Sequence, residues 1–284
     1  MGRCALLASC RPSLQTITTL NRTCLYVLSL VLSLATSCRS PEGGFVPLFN
    51  GESLEGWVSA RALADDESAF SVNVSEKAIH VYAGQEAGSK QTTDCLMTSR
   101  DYSDFVLKLE YKWLGKRFAP RSEWDRDAGL LFHVHGDLKR IWPLCLEMQM
   151  GESSGDKASA RGAEGRFHSG DLFVLGKDLR VDCTRDGGFY DPEAASKTGR
   201  SCPTRLGVER PPGSWNELEI RVHGSTKATF VLNGQVVHEI TNMTTVDEEG
   251  ATIPLGRGRI GLQAEWAELL YRNIRIMELK PGVL

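Results

Sequence analysis

Hydrophobic and polar residues alternate with a period of two over much of this chain. The clearest run is 105–113, where Phe105, Leu107, Leu109, Tyr111 and Trp113 share one parity and Lys108, Glu110 and Lys112 share the other. Strand side chains alternate between faces, so this pattern predicts a strand with one face in a core. The same division predicts strands over 128–135 and 144–150. In the first, Ala128, Leu130, Phe132 and Val134 are core positions, and Leu131, His133 and His135 lie opposite. In the second, Leu144, Leu146, Met148 and Met150 are core positions, and Cys145, Glu147 and Gln149 face away. Residues 227–232, Asn233-Gly234 and residues 235–240 predict a hairpin, because Asn-Gly suits the left-handed positions of a two-residue turn. Shorter strands are expected at 69–74, 78–82, 171–175, 215–223, 259–266 and 269–279. Helical periodicity is scarce, and residues 246–250 supply at most a short turn. Residues 177–213 hold no stable periodicity and read as a long excursion from the sheet. Many short strands with Gly-rich turns predict an all-β sandwich.

The N-terminus departs from this pattern. Arg3, Arg11 and Arg22 precede the first acid, Glu42, and an apolar run extends from Leu25 through Ala35. The run is short for a membrane span and suits the h-region of a signal peptide. It ends in Ala35-Thr36-Ser37-Cys38, which resembles a bacterial lipoprotein processing site with Cys38 as the lipidated residue, although Leu is commoner where Ala35 stands. Simple secretion with Cys38 unmodified is the alternative. The expected organisation is a signal peptide over 1–38, a tether over 39–44 and one domain over 45–284. The expected location is outside the cytoplasm, periplasmic or associated with the outer membrane of a bacterium.

The chain has 284 residues, 24% of them charged and 41% hydrophobic, enough to build a sizeable core. Its net charge of −3 comes with no basic stripe, so nucleic acid is not an expected partner, and membrane contact is expected only through the lipid anchor. Of eight cysteines, Cys4, Cys10, Cys24 and Cys38 belong to the leader or its end. In an exported protein, Cys183 and Cys202, flanking a loop rich in Gly, Asp and Arg, are the preferred disulfide pair. Cys95 and Cys145 sit in strand-like runs and read as buried thiols. No C-x-x-C spacing points to structural zinc.

Several motifs, taken in order, resemble the 3-keto-disaccharide hydrolase family. Phe45-Val46-Pro47-Leu48-Phe49-Asn50-Gly51 with Leu54 and Gly56-Trp57 is similar to its opening signature. Tyr102-Ser103-Asp104-Phe105, Ala128-Gly129-Leu130-Leu131-Phe132 and Glu147-Met148-Gln149 resemble the next three segments. Gly213-Ser214-Trp215-Asn216, Leu232-Asn233-Gly234, Ile260-Gly261-Leu262-Gln263 and Tyr271-Arg272-Asn273-Ile274 resemble the later ones. The resemblance covers about 45–279. It implies the concanavalin A-like lectin/glucanase fold, a jelly roll of two curved antiparallel sheets. It also implies a hydrolase or lyase acting on a sugar oxidised at carbon three. The chain departs from the family pattern in having Asp127-Ala128-Gly129 for Asn-Ser-Gly and His133 where Arg is usual. Phe173 in Ser169-Gly170-Asp171-Leu172-Phe173 also stands near the place of a tyrosine.

Three strands carry polar residues opposite their core parity: Glu147 with Gln149, His133 with His135, and Gln263 with Glu265. If these strands are neighbours in a concave sheet, their polar faces form one patch, but sequence does not set that register. Amides and carboxylates bond sugar hydroxyls, and Trp142 or Trp215 could stack on a sugar face. A 3-keto sugar has an acidic C–H beside the ketone, so cleavage by elimination needs a base, an acid and a group that stabilises an enolate. Glu147 is the first candidate for acid/base and His133 the second. His135 or Arg166 are candidates for the enolate, and Gln149, Gln263 and Glu265 for substrate binding. His133, His135 and Glu147 could alternatively hold a divalent metal. No organic cofactor is expected. The competing readings are a non-catalytic, lectin-like carbohydrate-binding module and a structural domain of the cell envelope. A strand carboxylate is also often merely solvated.

Overall fold

The alternation along the chain becomes sixteen strands and one helical turn among the residues described by the computed structural model, 44–152, 168–183 and 208–280. The strands are β1 (Val46–Pro47), β2 (Trp57–Ser59), β3 (Phe70–Asn73), β4 (Ala78–Val81), β5 (Asp94–Thr98) and β6 (Asp104–Arg117). Next come β7 (Asp127–His135), β8 (Leu144–Gly151), β9 (Leu172–Leu175), β10 (Arg180–Cys183) and β11 (Asn216–His223). The chain closes with β12 (Lys227–Leu232), β13 (Gln235–Val246), β14 (Thr252–Pro254), β15 (Arg259–Ala264) and β16 (Ala267–Glu278). The turn of helix, α1 (Ala60–Leu63), was not anticipated from the pattern. It is capped by Ser59, whose hydroxyl accepts from Ala62 N at 3.1 Å.

The strands form two antiparallel sheets. One runs β2-β5-β15-β7-β8-β9. The other runs β10-β13-β12-β11-β6-β16-β4-β3, with β1 beside β16 and β14 beside β13. This is the all-β jelly-roll sandwich of the concanavalin A-like class. The predicted inward residues of β6 and β8 make the core, with Leu107, Leu109 and Tyr111 meeting Leu146, Met148 and Met150 in one buried cluster. Phe132 of the smaller sheet meets Phe230 of the larger edge to face, with ring centroids 5.9 Å apart. The Asn233-Gly234 turn takes φ of 48° and 79°, as a two-residue hairpin between β12 and β13 requires.

Three expectations change. The segment 177–213 is not wholly an excursion, because Arg180–Cys183 pairs with β13. The polar parity of β8 is not a solvated face: every residue from Cys145 to Gly151 is buried. On that side Cys145 packs with Cys95, Met97, Leu131 and Val134 in a second, smaller apolar cluster. Finally, Val134 joins that outer cluster and not the main core, because a bulge follows Phe132. The register shifts there against both neighbours, and His133 takes φ of 51°.

Candidate functional site

Register in the smaller sheet decides which of the candidate side chains meet. The central strand β7 pairs with β8 so that Gly129 lies opposite Gln149 and Leu131 opposite Glu147. On its other side it pairs with β15 so that Leu131 lies opposite Gly261 and Leu130 opposite Leu262. The next step along β15 brings Gln263 beside Gly129. Glu147 and Gln263 therefore stand on the strands flanking β7, and both lean over Gly129. A Cβ at residue 129 would fall 2.6 Å from the Glu147 carboxyl carbon and 2.7 Å from Gln263 Oε1, and closer still to Glu147 Oε1. Glycine is the residue type that leaves this space.

The electrostatics of the pair are unusual. Glu147 is 4% exposed and has no cationic partner among the described residues. Burial pushes its pKa up to about 8, helped by the negative charge of Glu265. The Gln263 amide is near enough to favour the ionised form, which opposes this rise. Neither Nε2 nor Oε1 of Gln263 reaches hydrogen-bond geometry with any group among the described residues, although the residue is fully buried. The amide is thus a neighbour of the carboxyl and not its bonded partner. An unsatisfied buried polar group costs about 1–3 kcal/mol, so a doubly orphaned amide beside a protonatable carboxyl is a costly arrangement.

One step along the same face, Arg121 bridges two acids. Its Nη1 donates to Asp127 Oδ2 at 3.1 Å and to Glu265 Oε1. The guanidinium lies 4.3 Å from the Trp266 ring centroid and 4.8 Å from that of Trp124. Arg121 comes from the charged loop before β7, and nothing in its local sequence singled it out. Phe173 of β9 is the register partner of Glu147 and thus its immediate neighbour across the sheet. A second missed residue, Asp94, is fully buried and accepts from the Ser59 and Ser68 hydroxyls and from the Arg61, Ala69 and Cys95 amides. So many donors identify Asp94 as the tie between α1 and β5.

The remaining candidates go elsewhere. The bulge at His133 reverses the expected parity. His133 Nε2 donates to Gly224 O at 2.9 Å, in the β11–β12 turn of the other sheet, and its ring packs on Phe132. Burial holds its pKa down at about 4, so the ring is neutral. His135 donates from Nδ1 to His133 O at 2.8 Å. With Trp142 it lines a separate groove at the end of the sandwich. The trio of His133, His135 and Glu147 is thus not assembled as a metal site, and no group of three His, Cys, Asp or Glu among the described residues could hold an ion. Trp215 lies against the larger sheet. Its ring face is taken by the Arg272 guanidinium at 3.7 Å, with Lys112 Nζ 4.6 Å from the centroid. Gln149 is buried on β8 opposite Gly129. Arg166, Cys38 and Cys202 lie outside the described residues. Cys183 is disulfide-bonded, and Cys95 and Cys145 are free and buried.

Comparison with known proteins bears on the class of chemistry. Residues 44–277 match the model of the 3-keto-α-glucoside-1,2-lyase-like domain. No curated protein matches the chain. Among solved structures, a "putative glycosyl hydrolase" from Parabacteroides distasonis superposes with a TM-score of 0.51 at 18% identity, covering 84% of this chain and 94% of that one. A second structure so described, from the same organism, gives 0.50 at 18% identity, covering 83% and 99%. Carbohydrate-binding module CBM66 from Bacillus subtilis gives 0.46 at 10% identity, covering 78% and 96%. The first two likenesses speak to the fold alone, and the third carries no argument.

Proposed function

This chain belongs to the 3-keto-α-glucoside-1,2-lyase-like family, and we propose that it cleaves 3-keto-glycosides with Glu147 moving the decisive proton. The observation that carries this reading is the Glu147 carboxyl itself, buried without a cation and titrating at about 8 beside the unbonded Gln263 amide. A carboxylate with so high a pKa is a strong base that is still partly ionised near neutral pH. The ketone at carbon three acidifies the hydrogen on carbon two. Ionised Glu147 takes that proton, and the C–H electron pair moves into an enolate. Collapse of the enolate expels the glycosidic oxygen from carbon one and leaves a carbon–carbon double bond. The proton held by Glu147 then returns to the departing oxygen. Water adding across the double bond would complete hydrolysis. Gln263 Nε2 supplies an unused N–H for the enolate oxygen, and Phe173 supplies an apolar face beside Glu147.

The test is release of a chromogenic aglycone from a 3-keto-glucoside, with exchange of the carbon-two hydrogen followed in heavy water. Glu147→Gln is expected to lower kcat/KM by about 10²–10⁴-fold and to abolish the exchange. Full activity in that variant would sink the mechanism. In the unmutated protein, kcat/KM is expected to rise with pH to a plateau above about 8, because the base must be ionised.

The orientation of His133 favours a second reading, because it leaves Glu147 without the histidine expected beside it. In that reading the protein binds carbohydrate without turning it over. Glycan binding with neither release nor exchange would select it. Export and anchoring through Cys38 enter the proposal from the sequence alone. Mass spectrometry of the protein from a bacterial membrane fraction tests for the lipid.

A further inference from the structure

The groove lined by His135 and Trp142 has a volume of about 850 Å³, within the range of small-molecule sites. It lies where the turn after β7, the turn between β9 and β10 and the β13–β14 hairpin meet. Its apolar wall is made by Leu144, Leu175, Leu179, Val246 and Ile253. Val246 is 37% and Ile253 38% exposed, so this wall is presented to solvent. Its polar groups include two cations, Arg140 and Lys177. No carboxylate of the described residues is paired to either, and His135 spends only Nδ1 on a backbone bond. Asp178 is the one acid of the lining among the described residues.

We propose that this groove binds a small amphipathic anion, an apolar or aromatic body bearing a carboxylate. The aliphatic wall offers no hydrogen bonds, so a sugar would leave hydroxyl groups dry there, whereas an apolar body would lose nothing by leaving water. Trp142 supplies a flat surface for a ring, and Arg140 and Lys177 supply positive charge for the acid group. The site is independent of Glu147, whose carboxyl is not part of the lining.

The probe is 6-phenylhexanoate, set against its neutral primary amide, titrated calorimetrically into the folded full chain. The acid is expected to bind about tenfold more tightly than the amide, as one charge-assisted contact implies. Arg140→Gln combined with Lys177→Gln should erase that preference while leaving the amide's affinity unchanged. Ile253→Ser should weaken acid and amide alike. All three positions are exposed, so the variants should keep the parent melting temperature, and they should keep any activity on 3-keto-glucosides. Equal binding of acid and amide by the unmutated protein, or no heat from either, would overturn the proposal. So would an acid preference that survives the double variant.

Discussion

The two halves of β7 differ in a way that explains most of the site. From Asp127 to Leu131 the strand keeps regular register with β8, and at Leu130 and Leu131 with β15, and the alternation places Gly129 under Glu147 and Gln263. From Phe132 to His135 a bulge intervenes, and a left-handed residue turns His133 toward the other sheet. Both halves bury an ionisable group, but with opposite consequences. Glu147 is kept protonated beside polar groups that lack partners. His133 is kept neutral, with Nε2 bonded to a backbone carbonyl. A regular ladder thus gathers residues from three strands onto one point, and a one-residue bulge sends a side chain of similar chemistry to a different surface.

The strongest way to break the comparison is Gly129→Ala. The added methyl meets both converging side chains, so overpacking is expected to cost about 1–3 kcal/mol in chemical denaturation and to lower activity at least as far as Glu147→Gln does. A silent Gly129→Ala would mean that the two side chains do not converge there.

The pH dependence of stability sharpens it next. The Glu147 carboxyl titrates near 4.5 when unperturbed and at about 8 in the fold. Below 4.5 it is protonated in both states and costs nothing. As pH rises toward 8 the unfolded chain ionises first, so stability is lost across that window. His133 runs the other way, with a folded value of about 4 against 6.5. Its contribution is whole above 6.5 and is lost as pH falls toward 4, when the unfolded ring takes up a proton that the folded one refuses. Each effect should be at most a few kcal/mol, the Glu147 one (~5 kcal/mol) larger than the His133 one (~3 kcal/mol). Denaturation midpoints measured from pH 4 to 9 should show Glu147→Gln flattening the alkaline descent and His133→Gln flattening the acid one.

A smaller effect separates backbone from side chain at the bulge. His133→Ala and His133→Gly both lose the bond to Gly224, but glycine tolerates φ of 51°. The glycine variant should therefore be about 0.5–1 kcal/mol more stable than the alanine variant. Both should keep activity within a few-fold, and a selective loss of activity would return His133 to the site. The smallest effect on activity is expected from Trp215→Ala. Its stack under Arg272 is worth about 1 kcal/mol at a half-buried position, and glycoside cleavage should not change.

Much of this was legible in the chain. The alternation of β6 and β8, the Asn233-Gly234 hairpin and the pairing of Glu147 with Gln149 on one parity follow from side-chain periodicity alone. The site was legible only in part. Gln263 could be placed on the polar side of β15, yet nothing in Ile260-Gly261-Leu262-Gln263 says which strand lies beside it. Arg121 could not be found, because loop residues carry no periodicity to aim them. His133 was misassigned, because His133-Val134-His135 alternates as smoothly as the rest of β7 and the bulge leaves no mark in residue type.

The sequence by itself determined the class of fold and the face on which each regular strand residue stands. Both depend on local chemistry: the two-residue repeat, the turn residues and the distribution of apolar side chains. Only the tertiary structure decided that β15, β7 and β8 are adjacent, that Gly129 is the point over which a carboxyl and an amide converge, and that His133 leaves the strand's pattern. Those outcomes depend on register between strands far apart in the chain and on a dry environment that no single segment contains. The raised pKa of Glu147 has the same origin, because burial is a property of the assembled sheets.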